Sequence, residues 1–386
     1  MTNFDHLTQT LMQVFLDARV GLSLPVHRML ALLTACLLDG TPAHLTALAE
    51  ALPDVETDTN VKAQRVRRFL STPKISPQRV LPLFIVLLRP LLQQLPELIL
   101  AMDRTTWKTR QRHVNILMVS VYFEGRAIPL FWVVWDRGGA SSYTQWTTVL
   151  SPVMTELQKH AWCAHIPIIV VADREFASPR LAQWLKQTYC VESVLRLKRS
   201  AYLGDQDQSV QLAALLQHFP QASTRHYRQI TVTKTSDFLV NVTITWGAQY
   251  DEPLVVIATQ KGAKQAIDTY EKRFGIEPMF KDQKSNGFDI EGTKVTAPKR
   301  IETLLIMMAL AHIFCTSEGA RKEQAGEAKK KRRMGCLIRP VGLFLVGLKA
   351  FKQFFRRTAR PRFIAFVRCL FSFMGLPLKL LKKVRY

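Results

Sequence analysis

The chain has 386 residues, of which 53 are Lys or Arg and 30 are Asp or Glu, so its formal net charge at pH 7 is +23. A hydrophobic fraction of 48% excludes wholesale disorder, and the length suffices for two or three domains with a full core. The charge is concentrated at one end, because residues 321–386 contain 19 Lys or Arg and only two acids. A chain this basic predicts a polyanionic partner, with nucleic acid ahead of an anionic membrane surface.

The apolar stretches and the cysteines disfavour a membrane protein and a secreted protein. The longest apolar stretches, Leu304–Cys315 and Val80–Leu88, are shorter than the roughly 18–20 residues that a membrane span requires. The first residues show no basic leader followed by an apolar run, so no secretory signal is predicted. The six cysteines contain no C-x-x-C pair, which disfavours a zinc knuckle and a disulfide framework. We therefore expect a cytoplasmic protein without a membrane partner.

Residues 1–93 are predicted to be helical, because leucines recur at helical spacing. In a helix predicted over residues 60–71, Gln64, Arg67 and Arg68 project from the face opposite the apolar one. With the short helix before it, this segment resembles a helix–turn–helix reader of a DNA groove. A solvated basic face on a core helix is an equally good interpretation, since the connecting segment is longer than the usual turn.

The sequence becomes β-rich after residue 93. Residues 94–200 predict the order β-β-β-α-β-α-β, in which Asp103 closes the first strand and Asp173 closes the fourth. This α/β order is the layout of an RNase H-like core, and open α/β sheets place their chemistry at the carboxyl ends of strands.

The predicted core is interrupted. Strand candidates at 229–234, 238–246 and 254–259 predict a β-rich insertion, after which helical patterns resume. The predicted organisation has a helical N-terminal DNA-binding region (1–93), a first core segment (94–200), the insertion (201–260), a second core segment (261–318) and a basic helical C-terminal region (319–386).

Asp103 and Asp173 are the first candidate catalytic residues. A single Asp at a strand end is usually a turn former or a helix cap. Two carboxylates on neighbouring strands repel each other, and that arrangement persists most readily where a hard divalent cation neutralises it. Two cations about 3.5–4 Å apart can activate an attacking hydroxyl and stabilise the leaving oxygen of a phosphodiester.

The third candidate acid, Glu277, belongs to a group of four polar residues. At helical spacing Tyr270, Arg273, Glu277 and Lys284 fall within a stripe of about 60°, so one face would present a phenol, two cations and a carboxylate. An i,i+4 ion pair between Arg273 and Glu277 is the structural alternative. Pro278 is compatible with this pattern if Glu277 begins a second helix after a bend.

These residues resemble a known signature. The spacing Y-x2-R-x3-E-x6-K over 270–284 is similar to that of DDE transposases of the insertion-sequence-four family. The segment Asp173-Arg-Glu-Phe resembles the D-R-G-F motif of that family, and Asp103-Arg-Thr-Thr resembles its first-aspartate motif. Glu175 departs from the pattern, because the family usually has Gly there. It adds a negative charge near the predicted metal site.

The resemblance implies specific roles. Asp103, Asp173 and Glu277 would hold Mg²⁺ or Mn²⁺, as two ions, for hydrolysis and strand transfer. The DNA contacts that it implies are made by Arg273, Lys284 and Tyr270 on phosphates, with Trp246 as a candidate platform for a flipped base; an ordinary strand tryptophan is as good an interpretation of Trp246.

The implied protein is a prokaryotic cut-and-paste transposase that acts on the inverted-repeat ends of its element and on target DNA. A homodimer and a nucleoid-associated location when bound to DNA are further implications, and the basic tail would add affinity for the DNA backbone. Two other classes stay open: an RNase H-like nuclease or resolvase without strand transfer, and an inactive DNA-binding relative.

Overall fold

The computed structural model of the chain describes residues 2–53, 57–109, 112–204, 209–233, 236–248, 250–327, 331–333, 336–338 and 341–376. The N-terminal region is helical, as predicted, and contains α1 (Asn3–Asp17), α2 (Leu24–Leu38), α3 (Leu45–Glu50), α4 (Thr59–Leu70) and α5 (Pro77–Leu92). Thr2 and Asp5 cap the start of α1 reciprocally. The helices pack in part as sequential pairs, α1 on α2 and α3 on α4.

The next segment has the predicted order of strands and helices. It consists of β1 (Leu98–Thr109), β2 (Arg112–Phe123), β3 (Arg126–Trp135), α6 (Tyr143–Gln158), β4 (Ile168–Ala172), α7 (Pro179–Tyr189) and β5 (Glu192–Arg196). Strands β2 and β3 form a hairpin, and its two turn residues, Glu124 and Gly125, have φ values of 49° and 87°. Positive φ at both positions matches the twist of the flanking strands.

The main sheet has eight strands in the order β3-β2-β1-β4-β5-β10-β9-β8, where β8 (Thr224–Ile230), β9 (Val240–Thr245) and β10 (Leu254–Ala258) follow later in the chain. Strands β1, β4 and β5 are parallel, and β2 and β3 are antiparallel to their neighbours. Buried Val, Ile and Leu side chains fill both faces of the central strands, as expected where helices cover a sheet.

One sequence expectation about β1 is wrong. The strand does not end at Asp103 but continues to Thr109, paired with β2 along its whole second half. What ends at this point is the parallel pairing with β4, whose last residue pair is Met102 opposite Ala172. The apolar run stops at Met102, and the rest of the strand is mostly polar and held by its pairing with β2. The hydrophobic pattern therefore did not predict this extension.

The segment predicted as a β-rich insertion adds strands to the same sheet. It contains β6 (Tyr202–Leu203), β7 (Val210–Gln211), α8 (Leu212–Gln217), β8 (Thr224–Ile230), β9 (Val240–Thr245) and β10 (Leu254–Ala258). Strand β10 pairs antiparallel with β5, and β9 and β8 follow outward. The first of the three predicted strands is misplaced, because the edge strand β8 is polar and largely exposed and lacks the alternation of a half-buried strand.

The chain then returns to the sheet through a broken helix and a long one. These elements are α9 (Ala263–Glu271), a 3₁₀ turn (Lys272–Gly275), α10 (Ile276–Lys281), a π-helical turn (Asp282–Asn286) and α11 (Pro298–Gln324). Within the described part of the chain, α11 alone is long and apolar enough to span a membrane, and its apolar window is entirely buried in the fold. It packs on β3, α2 and α5.

The C-terminal region contains β11 (Lys331–Arg333), β12 (Cys336–Ile338), α12 (Leu343–Arg357) and α13 (Arg360–Phe373). Helix α12 packs closely on α11, where a Cβ at Gly347 would overlap the carbonyl of Cys315. Residues 328–330, 334–335, 339–340 and 377–386 of the basic tail lie outside the described residues.

Candidate active site

Two carboxylates lie side by side where the parallel pairing of β1 and β4 ends. Asp103 and Asp173 directly follow the last residue pair of that ladder. Neighbouring strands are about 4.8 Å apart, so the backbone brings both side chains within reach of a shared ligand. The predicted adjacency of the two strands is confirmed.

The side chain of Arg273 connects the third predicted acid to the first. Its Nη1 donates to Asp103 Oδ2 and its Nη2 donates to Glu277 Oε1, each over 2.9 Å. Arg273 is 4% exposed, whereas the side chain of Glu277 is 58% exposed. The local ion pair that the sequence suggested as a structural alternative is therefore present. The same guanidinium also reaches a strand 170 residues away, which a local helix pair does not require.

The electrostatics of this group are dominated by the burial of Asp103. Burial raises the pKa of Asp103 to about 6, although the guanidinium of Arg273 and a hydrogen bond from the backbone N–H of Arg104 act in the opposite direction. The carboxylates of Asp173 and Glu277 raise this pKa further. Asp103 and Glu277 thus share one buried guanidinium, and Asp173 lies close enough to raise the pKa of Asp103.

Tyr270 contacts the second aspartate. Its ring is fully buried, and its hydroxyl donates to Asp173 Oδ1 over 3.2 Å. Burial raises the pKa of Tyr270, so the phenol stays protonated at neutral pH and acts as a donor. The Arg273 guanidinium lies 5.7 Å from the centre of its ring.

The backbone that carries these residues is not one continuous helix. A 3₁₀ turn separates α9 from α10, so Tyr270 and Glu277 belong to different helices and Pro278 lies in the first turn of the second. The turn passes very close to β2, since a Cβ at Gly275 would lie 2.9 Å from Tyr122 Cδ2. The second helix that Pro278 requires is present, and Tyr270 and Arg273, which precede it, reach Asp173 and Asp103.

Lys284, the fourth signature residue, has other partners. Its Nζ lies 2.8 Å from Glu291 Oε1 and 3.2 Å from the carbonyl oxygen of Thr106, and 5.8 Å from the ring centre of Trp107. Lys284 lies within the π-helical turn, and its side chain reaches the part of β1 that extends beyond Asp103. The structure thus places Lys284 beside the acids but not in contact with them.

A sequence model of the transposase DDE domain matches residues 94–314, more than half of the chain. The chain belongs to this family. Membership indicates a transposase enzyme that acts on DNA. No curated protein matches the chain. The matched region begins just before β1 and ends within α11, so it includes all three acids of this DDE transposase-domain protein.

The sequence did not reveal a cluster of arginines beside Asp173. Arg196, at the end of β5, lies 3.6 Å from Asp173 Oδ1 and 2.7 Å from Glu252 Oε1. Arg174 and Arg199 also pair with Glu252, over 3.4 and 3.0 Å. The position of Arg196 in the sequence could have indicated this cluster. Arg196 is the last residue of the strand next to β4, so it lies at the same edge of the sheet as the acids.

Trp246 follows β9 at this same edge. It is partly buried against the core, and its Nε1 donates to the carbonyl of Tyr250 over 3.1 Å. Strand β9 is three positions from β4, roughly 14 Å away at ordinary strand spacing. Its predicted contact with a flipped base stays a prediction.

Gln64, Arg67 and Arg68 are exposed on α4, which packs on α3 and α11. Their predicted face is therefore solvent-accessible. The buried side of α4 carries Val66 and Leu70, and Lys62 donates to the carbonyl of Leu52.

The donor chemistry of the acids suits a hard divalent cation, because it consists of carboxylate oxygens. Among the residues that the structure describes, however, no three His, Cys, Asp or Glu side chains form a group ready to hold a metal ion. The guanidinium of Arg273 pairs with both Asp103 and Glu277.

Proposed function

We propose that this DDE transposase is of the insertion-sequence-four type, cuts DNA at the ends of its element and joins those ends to target DNA. One observation carries the proposal. Asp103 and Asp173 follow the last residue pair of adjacent parallel strands, and Arg273 links Glu277 to Asp103. Carboxylates that directly follow the end of a parallel strand pairing, within a matching DDE domain, favour phosphodiester chemistry over a purely structural role.

The proposed catalytic core is RNase H-like and has the domain boundaries predicted from the sequence. In its favour, β1–β5 have the expected order and connections, and β8–β10 intervene before α9 returns to the acids. In this interpretation residues 201–260 are an insertion that widens the sheet, and residues 1–93 and 319–386 contribute DNA contacts.

Asp103, Asp173 and Glu277 would hold two Mg²⁺ or Mn²⁺ ions, which would activate the attacking hydroxyl and stabilise charge on the leaving oxygen. Their oxygen donors fit this assignment, and two of the three carboxylates share a single guanidinium. Arg273 keeps Asp103 and Glu277 oriented towards each other, and Tyr270 orients Asp173 through its hydroxyl.

The cations beside the acids would bind DNA phosphates. Arg273 and Lys284 are proposed to contact the backbone at the cleaved end together with Tyr270, with Lys284 exchanging Glu291 for a phosphate oxygen. Trp246 is the proposed platform for a flipped base. The exposed face of Gln64, Arg67 and Arg68 would contact double-stranded DNA away from the acids.

The proposed assembly is a homodimer that holds two element ends in a prokaryotic cytoplasm, associated with the nucleoid when bound to DNA. Both features follow from the resemblance to insertion-sequence-four transposases.

The test replaces one acid and measures cleavage and binding separately. Asp173→Ala should abolish Mg²⁺-dependent cleavage of a DNA fragment that carries the element end, while its affinity for that fragment stays within about threefold, because a metal ligand is lost rather than a phosphate contact. Asp268→Ala, which removes an exposed Asp from α9, is the matched control and should cleave normally. Unchanged cleavage by Asp173→Ala would refute the proposal, and cleavage by the wild-type protein without end joining would favour a nuclease.

A further inference from the structure

An ion pair connects the β1 and β4 chains just beyond their last ladder pair. Arg104 and Glu175, which follow Asp103 and Asp173 by one and two residues, meet with Nη2 and Nε of Arg104 at 2.8 and 3.0 Å from Glu175 Oε2. Both side chains are about three-quarters buried, with 23% and 22% exposure. Since the parallel pairing of β1 with β4 stops before the two aspartates, this contact ties the strands together where the backbone ladder no longer does.

The same ion pair holds the loop between β3 and α6, residues 136–141. The second oxygen of Glu175 accepts hydrogen bonds from the backbone N–H and the hydroxyl of Ser141, over 2.9 and 2.8 Å. On the other side, Arg104 Nη1 donates to the carbonyl oxygen of Gly139. Residues 136–140 are exposed, so these hydrogen bonds anchor a solvent-facing loop to both aspartate-bearing segments.

We propose that the Arg104–Glu175 pair is a brace that sets the separation of Asp103 and Asp173 and orders the 136–141 loop beside them. The brace is continuous with the first acid, because the backbone N–H of Arg104 donates to Asp103 Oδ1 over 2.7 Å. Charge-assisted contacts from one guanidinium to a carboxylate have a fixed geometry, which suits them to hold two strands in register. The negative charge of Glu175 is therefore matched by Arg104 instead of adding to that of the acids.

The consequence for metal binding rests on the proposed function, in which the acids hold divalent cations. Isothermal titration calorimetry of the metal-free full-length protein with Mn²⁺ measures the metal affinity without DNA or turnover. Glu175→Gln and Arg104→Gln should each weaken Mn²⁺ binding about tenfold, as is usual when a group that orients a metal ligand is removed. The double variant should be no weaker than either single one, because all three lack the same contact.

Amide hydrogen exchange distinguishes a local loss of the brace from a general loss of structure. Glu175→Gly, which also removes the acceptor for Ser141, should speed amide exchange across residues 136–141, whereas Glu175→Gln keeps an acceptor and should alter that exchange less. Arg104→Lys keeps the charge without the paired contact and should lie between wild type and Arg104→Gln in Mn²⁺ affinity. Intermediate affinity of this folded variant supports the brace, and wild-type affinity contradicts it.

A matched control lies at the opposite edge of the sheet. Lys186 and Glu192 form a pair of similar length, 2.8 Å, and similar burial, and Lys186→Gln should leave Mn²⁺ affinity unchanged. If Glu175→Gln binds Mn²⁺ like this control while Asp173→Ala has lost cleavage, the brace is wrong and the proposed function stands. If the wild-type protein does not bind Mn²⁺ and Asp173→Ala still cleaves, the proposed function is wrong and the metal-related role of the brace falls with it.

Discussion

Two arginine–carboxylate pairs hold the same segment of chain, residues 270–286, against the sheet. In the first, Arg273 of the segment donates to Asp103 on β1 over 2.9 Å. In the second, Asp282 of the segment accepts from Arg126 on β3 over 2.5 Å. The segment's own residue is buried in both pairs, with exposures of 4% for Arg273 and 0% for Asp282.

The pairs differ in how many carboxylates they contain. Arg273 faces Asp103 and Glu277 directly, with Asp173 close enough to raise the pKa of Asp103. Arg126 and Asp282 form a pair of one cation and one carboxylate. A buried ion pair is thus no sign of a reactive site, since both pairs position the segment. The excess of carboxylates at the first pair distinguishes it.

The largest expected effect comes from breaking the first pair. Arg273→Gln should slow single-turnover cleavage of end DNA by at least about 100-fold, because the acids lose their shared orienting cation and the DNA loses a proposed contact. It should also lower the free energy of unfolding by about 3 kcal/mol, since a buried carboxylate is left without its partner. Single-turnover assays and urea unfolding provide the two measurements.

Arg126→Gln is the matched control for this variant. It removes the arginine of the second pair and should cost a similar amount of stability, while cleavage under stabilising conditions falls far less than in Arg273→Gln. Equal losses of cleavage in both variants would mean that the two pairs are equivalent supports and that Arg273 has no special role.

The next expected effect is the pH dependence of stability that the second pair causes, which does not involve cleavage. Burial raises the pKa of Asp282 to about 6, from a usual value of 3.8, even though Arg126 acts in the opposite direction. The folded state therefore binds this proton more tightly than the unfolded state, so the stabilisation is complete below pH 3.8 and is lost as pH rises through about 6. The change amounts to about 3 kcal/mol.

Asp282→Asn removes this titration. The difference in unfolding free energy between wild type and Asp282→Asn should shift between pH 4 and pH 7 in favour of the variant, as measured by urea unfolding at each pH. A difference that is constant across this range would show that Asp282 does not titrate there.

Sequence patterns identified candidate residues within short segments of the chain, and they missed contacts between residues that are far apart in the sequence. The spacing of Tyr270, Arg273 and Glu277 identified the segment, and apolar runs that stop just before an acid identified Asp103 and Asp173 as candidates. The Arg126–Asp282 and Arg104–Glu175 pairs join residues 156 and 71 positions apart, which no periodicity can connect. Their partners become neighbours only once the strand order is fixed.

The same limit explains the errors in the predicted strands. Hydrophobic periodicity registers burial, so it predicted the apolar half of β1 and missed the polar extension that hairpin pairing holds in place. It misplaced β8 for the same reason, because an edge strand with exposed polar residues has little burial to register.

The smallest effects are expected at the exposed arginines of α4, which contrast with both buried pairs. Arg67→Ala and Arg68→Ala should each change the free energy of unfolding by less than about 0.5 kcal/mol, because these side chains are exposed. If each contacts one phosphate, the slope of log affinity against log salt concentration should become shallower by about 0.9 per variant. Fluorescence anisotropy of labelled end DNA over a range of salt concentrations measures this slope. Lys74→Ala, an exposed cation beyond the end of α4, is the control; an unchanged slope in both arginine variants would show that this face is solvated and does not read DNA.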